Sequence, residues 1–147
     1  MKSPIIIALD MDIKSSIELA KKIDPKECKV KVGSELFTTS GPNVIEKLKD
    51  LGFDIFLDLK FHDIPNTVRK SVQAAIKMGV WMLNVHSLGG KEMLRAAYET
   101  VENSPIKPLL IGVTILTSLD DKDIKQVGLQ KSTSDQVLHL AQLCQNE

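Results

Sequence analysis

An α/β fold with a parallel sheet is predicted by three observations. Five short apolar runs alternate with segments of helical periodicity, the runs recur about every 26 residues, and each run ends in polar or charged side chains. The runs are Ile5–Leu9, Cys28–Val32, Phe53–Leu59, Trp81–Val85 and Leu109–Val113. All are too short for helices and too apolar for half-exposed strands, as expected of strands covered on both faces.

The helices follow from spacing and punctuation. Ile13, Ile17, Ala20 and Ile23 keep helical spacing behind Asp12, an N-cap candidate. Pro42 opens a helix carrying Val44, Ile45, Leu48 and Leu51, and Gly52 closes it. A third helix starts near Pro65, buries Val68, Val72, Ala75 and Ile76, and stops at Gly79. A fourth, from about Gly90 to Val101, places Met93, Leu94, Ala97 and Val101 on one face. Asp120–Val127 forms a short extra helix with Asp120 as its cap, and a last helix begins near Ser134 with Val137, Leu138 and Ala141 as its apolar positions. With no linker or low-complexity stretch, residues 1–147 read as a single domain.

Composition excludes several function classes. Lys and Arg together equal Asp and Glu at 19 each, so no global field favours nucleic acid or an anionic membrane. Five apolar residues behind Met1-Lys2-Ser3-Pro4 are too few for a signal-peptide core of about 7–15, and no run approaches the roughly 20 residues of a membrane span. A cytoplasmic, unprocessed protein is expected. Cys28 and Cys144 match no metal spacing and are expected to be buried, reduced thiols.

The periodicity alone permits a five-stranded doubly wound sheet or part of an eightfold barrel, which at this repeat needs roughly 210 residues. Length favours the first and the polar residues the second. Strand ends supply Asp10, Lys31, Asp58 with Lys60, Asn84 with His86, and Thr114 followed by Thr117 and Ser118. In a parallel α/β protein these ends share one edge, and the outer ones converge only if the sheet closes. Lys31, Asp58, Lys60 and Asp63 carry the strongest signal, because opposite charges at the exit of a buried strand are costly unless paired. Asp58 and Lys60, two apart, should point to the same side of a strand. The remaining polar residues have plainer readings. His62 is an exposed loop residue, His86 a satisfied core histidine, His139 a surface residue and Trp81 a packing residue, while Gly89-Gly90 is a weak phosphate-loop signal.

Ala8-Leu-Asp10, Lys31-Val-Gly33, Asp58-Leu-Lys-Phe-His-Asp-Ile-Pro-Asn-Thr67, Asn84-Val-His86 and Val113-Thr-Ile-Leu-Thr-Ser118 together make the chain resemble the orotidine 5′-phosphate decarboxylases. The resemblance runs from about Ile5 to the last residue. It implies a (β/α)8 TIM barrel of the ribulose-phosphate-binding type, here about five βα units. It further implies a cofactor-free and metal-free homodimer that converts orotidine 5′-phosphate to UMP and CO2 in pyrimidine biosynthesis. Lys60 would then be the proton donor to C6, with Lys31, Asp58 and Asp63 completing a charged tetrad. Asp10 and Lys31 would contact the ribose, and Asp58 would also lie against the substrate. Thr67 and Thr117 would frame the nucleotide, and Asp63 and Ile64 would reach the partner subunit's site.

The family's phosphate grip lies in the last barrel units, and no segment here matches it. The chain therefore reads as an N-terminal portion, expected to be inactive or severely impaired alone. Two rivals remain. A receiver-like phospho-accepting module would use Asp10, Asp12, Asp58 and Ser87 but needs a Lys where Thr114 stands. A related sugar-phosphate decarboxylase or aldolase would need Mg2+ at the carboxylates.

Overall fold

The computed structural model describes residues 5–147. The lead-in Met1-Lys2-Ser3-Pro4 lies outside the described residues. The elements in order are β1 (Ile6–Ala8), α1 (Ile13–Ala20), β2 (Lys29–Gly33), α2 (Ser34–Ser40), α3 (Asn43–Asp50), β3 (Ile55–Phe61) and α4 (Pro65–Met78). Then come β4 (Met82–His86), a 3₁₀ turn (Ser87–Gly89), α5 (Gly90–Glu102), β5 (Leu109–Val113), α6 (Asp121–Gln126) and α7 (Thr133–Gln145).

Local chemistry explains the boundaries. Asp12 caps α1 by accepting from the N–H groups of Lys14 and Ser15. Asp120 caps α6 in a reciprocal capping box with Asp123. Pro65 occupies the first turn of α4, where a missing N–H costs nothing, and Gly79 ends that helix at φ 74°, in the left-handed region.

All five strands run parallel, and each pairs with its neighbour in sequence, giving the order β1-β2-β3-β4-β5. This order separates the two predicted architectures. A doubly wound sheet reverses direction after its first strands and places β1 in its interior; here the strand sequence advances one way, as in a (β/α)8 barrel. The receiver-like layout is thereby excluded. Val30, Val32, Ile55, Leu57, Leu83 and Val85 pack with Val44, Ile45, Leu48, Val68, Val72, Met93 and Ala97 in one core between sheet and helices. On the opposite face, Ile6, Leu109 and Ile111 remain exposed.

Four details depart from the sequence-based expectations. α2 falls where no helix is predicted: it is short, and its Thr38-Thr39 pair is a poor helical signal. Strand β3 runs two residues further than predicted, through Phe61. Helix α7 buries Gln136 and Leu140 and rests Leu143 and Cys144 on the core, while Val137, Leu138 and Ala141 are exposed. The helix rests on α5, the 3₁₀ turn and, through Cys144, Gly112 of β5, and the stripe it buries, Gln136, Leu140, Leu143 and Cys144, keeps helical spacing on a face adjacent to the predicted one. Both cysteines are free, but only Cys28 is buried; Cys144 is partly exposed beside Ser87.

Candidate active site

The strand ends bring four charged residues into one alternating chain. Lys31 Nζ lies 3.3 Å from Asp10 Oδ1 and 3.5 Å from Asp58 Oδ2, and Lys60 Nζ lies 2.7 Å from Asp58 Oδ1. Exposure rises outward from the centre: the Asp58 side chain is 14% exposed, Lys31 22%, Lys60 38% and Asp10 69%. The carboxylate with the least water therefore holds two cations. Burial pushes the Asp58 carboxyl pKa up; hydrogen bonds from Lys60 and Asn84, and the charges of Lys60 and Lys31, more than reverse this and leave it lowered. Asp58 is thus a carboxylate at neutral pH.

The backbone around this carboxylate is not that of a regular strand. Lys60 has φ 50°, the one positive value at a non-glycine among the described residues. The β3–β4 ladder also slips there, pairing Leu57 with Leu83 but Phe61 with Val85. Residues 58 and 60 do converge as expected, yet not by simple two-residue alternation, because an irregular strand end turns Lys60 back toward Asp58. Asn84, carried by β4, bridges the two: its Oδ1 accepts from the Lys60 N–H at 2.7 Å and its Nδ2 donates to Asp58 Oδ1 at 2.6 Å. Asn84 was visible in the sequence as a polar residue at a strand end, but nothing in the pattern assigned it this contact.

The other candidates sit around the chain of charges. Thr117 borders a shallow recess with Lys60, Val113, Ile115, Leu116 and Ser118. Thr67 is exposed in the first turn of α4. Asp63 does not join Lys31, Asp58 and Lys60: it is exposed, and its Oδ1 accepts from the Ile64 N–H at 2.7 Å. Ile64, preceding α4, is 67% exposed. His86 is buried and stacks on the exposed His62 at 5.2 Å between ring centroids. Its Nδ1 accepts from the Leu88 N–H, so the neutral ring carries its proton on Nε2. Burial, then the charges of His62 and Lys60, lowers its pKa. At the other end of the sheet, buried Lys29 lies 4.8 Å from the Trp81 ring, a cation–π contact not foreseen from sequence.

An ammonium braced by a desolvated carboxylate, open on one side to a recess, can meet negative charge on a bound molecule and deliver a proton to it. Asp10 and Asp58 already face lysines, and no group of three metal-ligating side chains occurs together among the described residues.

Known proteins share this arrangement of sequence and fold. Residues 3–147 match the family described as "Orotidine 5'-phosphate decarboxylase / HUMPS family". A curated relative from Saccharophagus degradans, an orotidine 5'-phosphate decarboxylase, is 53% identical over 140 residues, covering 95% of this chain and 59% of the relative. Another of the same name from Pseudomonas paraeruginosa is 53% identical over 147 residues, covering 98% and 63%. The chain thus spans about three fifths of the length of the curated relatives it matches. Among solved structures, the orotidine 5'-phosphate decarboxylase from Lactobacillus acidophilus superposes with a TM-score of 0.90 at 38% identity, covering 98% of this chain and 67% of that one.

Proposed function

The chain belongs to the orotidine 5'-phosphate decarboxylase / HUMPS family, and on that premise we propose that it carries the charged centre of an active site that converts orotidine 5′-phosphate to UMP and CO2 without a cofactor. The observation that carries this reading is the Lys60 ammonium, 2.7 Å from Asp58 at the mouth of a parallel sheet and bordering a recess. Breaking the bond from C6 to the carboxyl group releases CO2 and leaves an electron pair on C6 that the ring does not delocalise. Lys60 meets that charge as it builds and then gives C6 its Nζ proton; solvent reprotonates the amine. Because the charge exists only in the transition state, a prepositioned ammonium raises the rate rather than merely tightening substrate binding.

Around this centre, Asp10 and Lys31 hold the ribose, Asp58 keeps Lys60 aimed, and Thr67 and Thr117 frame the nucleotide. Asp63 and Ile64 serve the site of a second subunit in a homodimer. Their exposure, with the Asp63 carboxylate bonded only to the adjacent amide among the described residues, supports that assignment. No helix among the described residues is long and apolar enough to cross a membrane. With two free thiols, this fits a cytoplasmic enzyme of small-molecule metabolism. Residues 1–147 behave as one domain that needs further barrel units for full activity. Supporting this, β1 and β5 stand at open edges among the described residues, with Ile6, Leu109 and Ile111 exposed.

The test follows 14CO2 release from carboxyl-labelled orotidine 5′-phosphate. The 147-residue chain alone should turn over far more slowly than a chimera that appends the remaining two fifths of the Saccharophagus degradans relative. In the chimera, Lys60→Ala should lower kcat by at least about 100-fold, the scale of losing one charge-stabilising group. Turnover that survives EDTA argues against the Mg2+-dependent sugar-phosphate alternative. Near-normal turnover by Lys60→Ala would refute the mechanism, and full turnover by residues 1–147 would refute the need for further units.

A further inference from the structure

We propose that Asn84 is a positioning residue of this site: its side-chain amide holds the Lys60 backbone in its left-handed conformation and, with the other end of the same group, fixes the Asp58 carboxylate against the Lys60 ammonium. The inference rests on the reading above only in taking Lys60 as the proton donor.

Asn84 is 2% exposed, and a buried amide is retained only when its donors and acceptor are used. Both ends are used, on two functionally linked groups. Its orientation is unambiguous, because a backbone N–H only donates and a carboxylate only accepts, so Oδ1 faces Lys60 N and Nδ2 faces Asp58. The acceptor replaces something the fold has lost. Where the β3–β4 register slips between Leu57 and Phe61, Lys60 turns to φ 50° and its N–H is taken by this side chain instead of a β4 carbonyl. The donor end acts on the carboxylate that Lys60 itself contacts: Asp58 Oδ1 receives Asn84 Nδ2 at 2.6 Å and Lys60 Nζ at 2.7 Å, while Oδ2 is left to Lys31. One amide thus links the main chain of residue 60 to the counter-charge of its own side chain. Aspartate lacks the donor, leucine lacks both functions, and serine is too short to span the two partners.

The proposal is tested by NMR on the full 147-residue chain. The unsubstituted protein should show a through-hydrogen-bond scalar coupling between Lys60 15N and Asn84 13Cγ. In Asn84→Ala, Lys60 amide exchange should speed by about tenfold, the factor for losing one buried hydrogen bond. The Asp58 13Cγ titration should also move to higher pH, while the amides of Val32, Leu57 and Leu83 keep their protection. Asn84→Asp should separate the two ends: it keeps an acceptor for Lys60 N–H, so protection there persists, but it loses the donor, and Asp58 titrates higher still beside a second carboxylate. In the chimera, Asn84→Ala should lower kcat by about 100-fold with KM little changed, as for a misplaced rather than missing catalytic group. Absence of the coupling in the unsubstituted protein overturns the proposal without any variant having to fold. So does a folded Asn84→Ala with unchanged Lys60 exchange and Asp58 titration. Normal turnover by Lys60→Ala in the chimera overturns Lys60 as the proton donor instead, and leaves the coupling and exchange to decide how residues 58 and 60 are held.

Discussion

Lys60 is placed where an L-residue is strained, and that strain can be measured by comparing two variants that both lack the ammonium. At φ 50° an L side chain crowds its own carbonyl, at a cost of about 1–2 kcal/mol that glycine does not bear. Glycine gives back about 0.5–1 kcal/mol through the greater freedom of its unfolded chain. Lys60→Gly should therefore be more stable than Lys60→Ala, by about 0.75 kcal/mol at the centre of these ranges. Loss of the Nζ contact to Asp58, 2.7 Å in the native protein, is common to both variants and cancels in the difference. For a chain of this size the difference corresponds to a Tm gap of about 1–4 °C. Urea unfolding followed by far-UV circular dichroism, compared at a common m-value, reads it directly. The same exchange at Ala8, in β1 without a positive φ, should have the opposite sign: Ala8→Gly should destabilise by about 0.5–1 kcal/mol. If Lys60→Ala equals or exceeds Lys60→Gly in stability, the left-handed backbone at the proton donor is not a strained feature and the reasoning fails.

Two further outcomes follow from packing and titration. A Cβ built on Gly112 would overlap Cys144 Sγ, so Gly112→Ala should destabilise by about 1–3 kcal/mol. Adding Cys144→Ala should recover most of that loss; strictly additive effects in the double-mutant cycle would show that α7 does not press on β5 there. His86 has a pKa below its ordinary value of about 6.5, mainly because it is buried. The unfolded chain therefore binds the proton first as pH falls. The stability contributed by the neutral ring is complete above about pH 6.5 and is lost between there and the lowered folded value. The Tm should fall as the pH drops below about 6.5, and the slope should shrink in His86→Gln; equal slopes would rule out His86 as the source.

Much of this protein is written in its local sequence. Alternating apolar runs and helical spacings specify βα units, because burial against one neighbouring layer leaves a period that any window can read. Asp12, Asp120 and Pro65 mark helix starts, because capping satisfies groups only a few residues away. The charges at 31, 58 and 60 are conspicuous for a similar reason: ions at the end of a buried strand need partners. What tertiary structure alone decided depends on residues distant in sequence. Strand order, and with it the choice between barrel and doubly wound sheet, lies in which strands pair, to which periodicity is blind. Helix α7 has apolar residues on two adjacent faces, and contact with α5, the 3₁₀ turn and Gly112 selects the one carrying Leu140, Leu143 and Cys144. The reversal at Lys60 needs the slipped β3–β4 register and an amide supplied 24 residues away. Local pattern records whether a residue is buried; the pairing of strands determines which groups meet, and at this site that pairing turns a lysine and an aspartate two residues apart into a fixed ion pair.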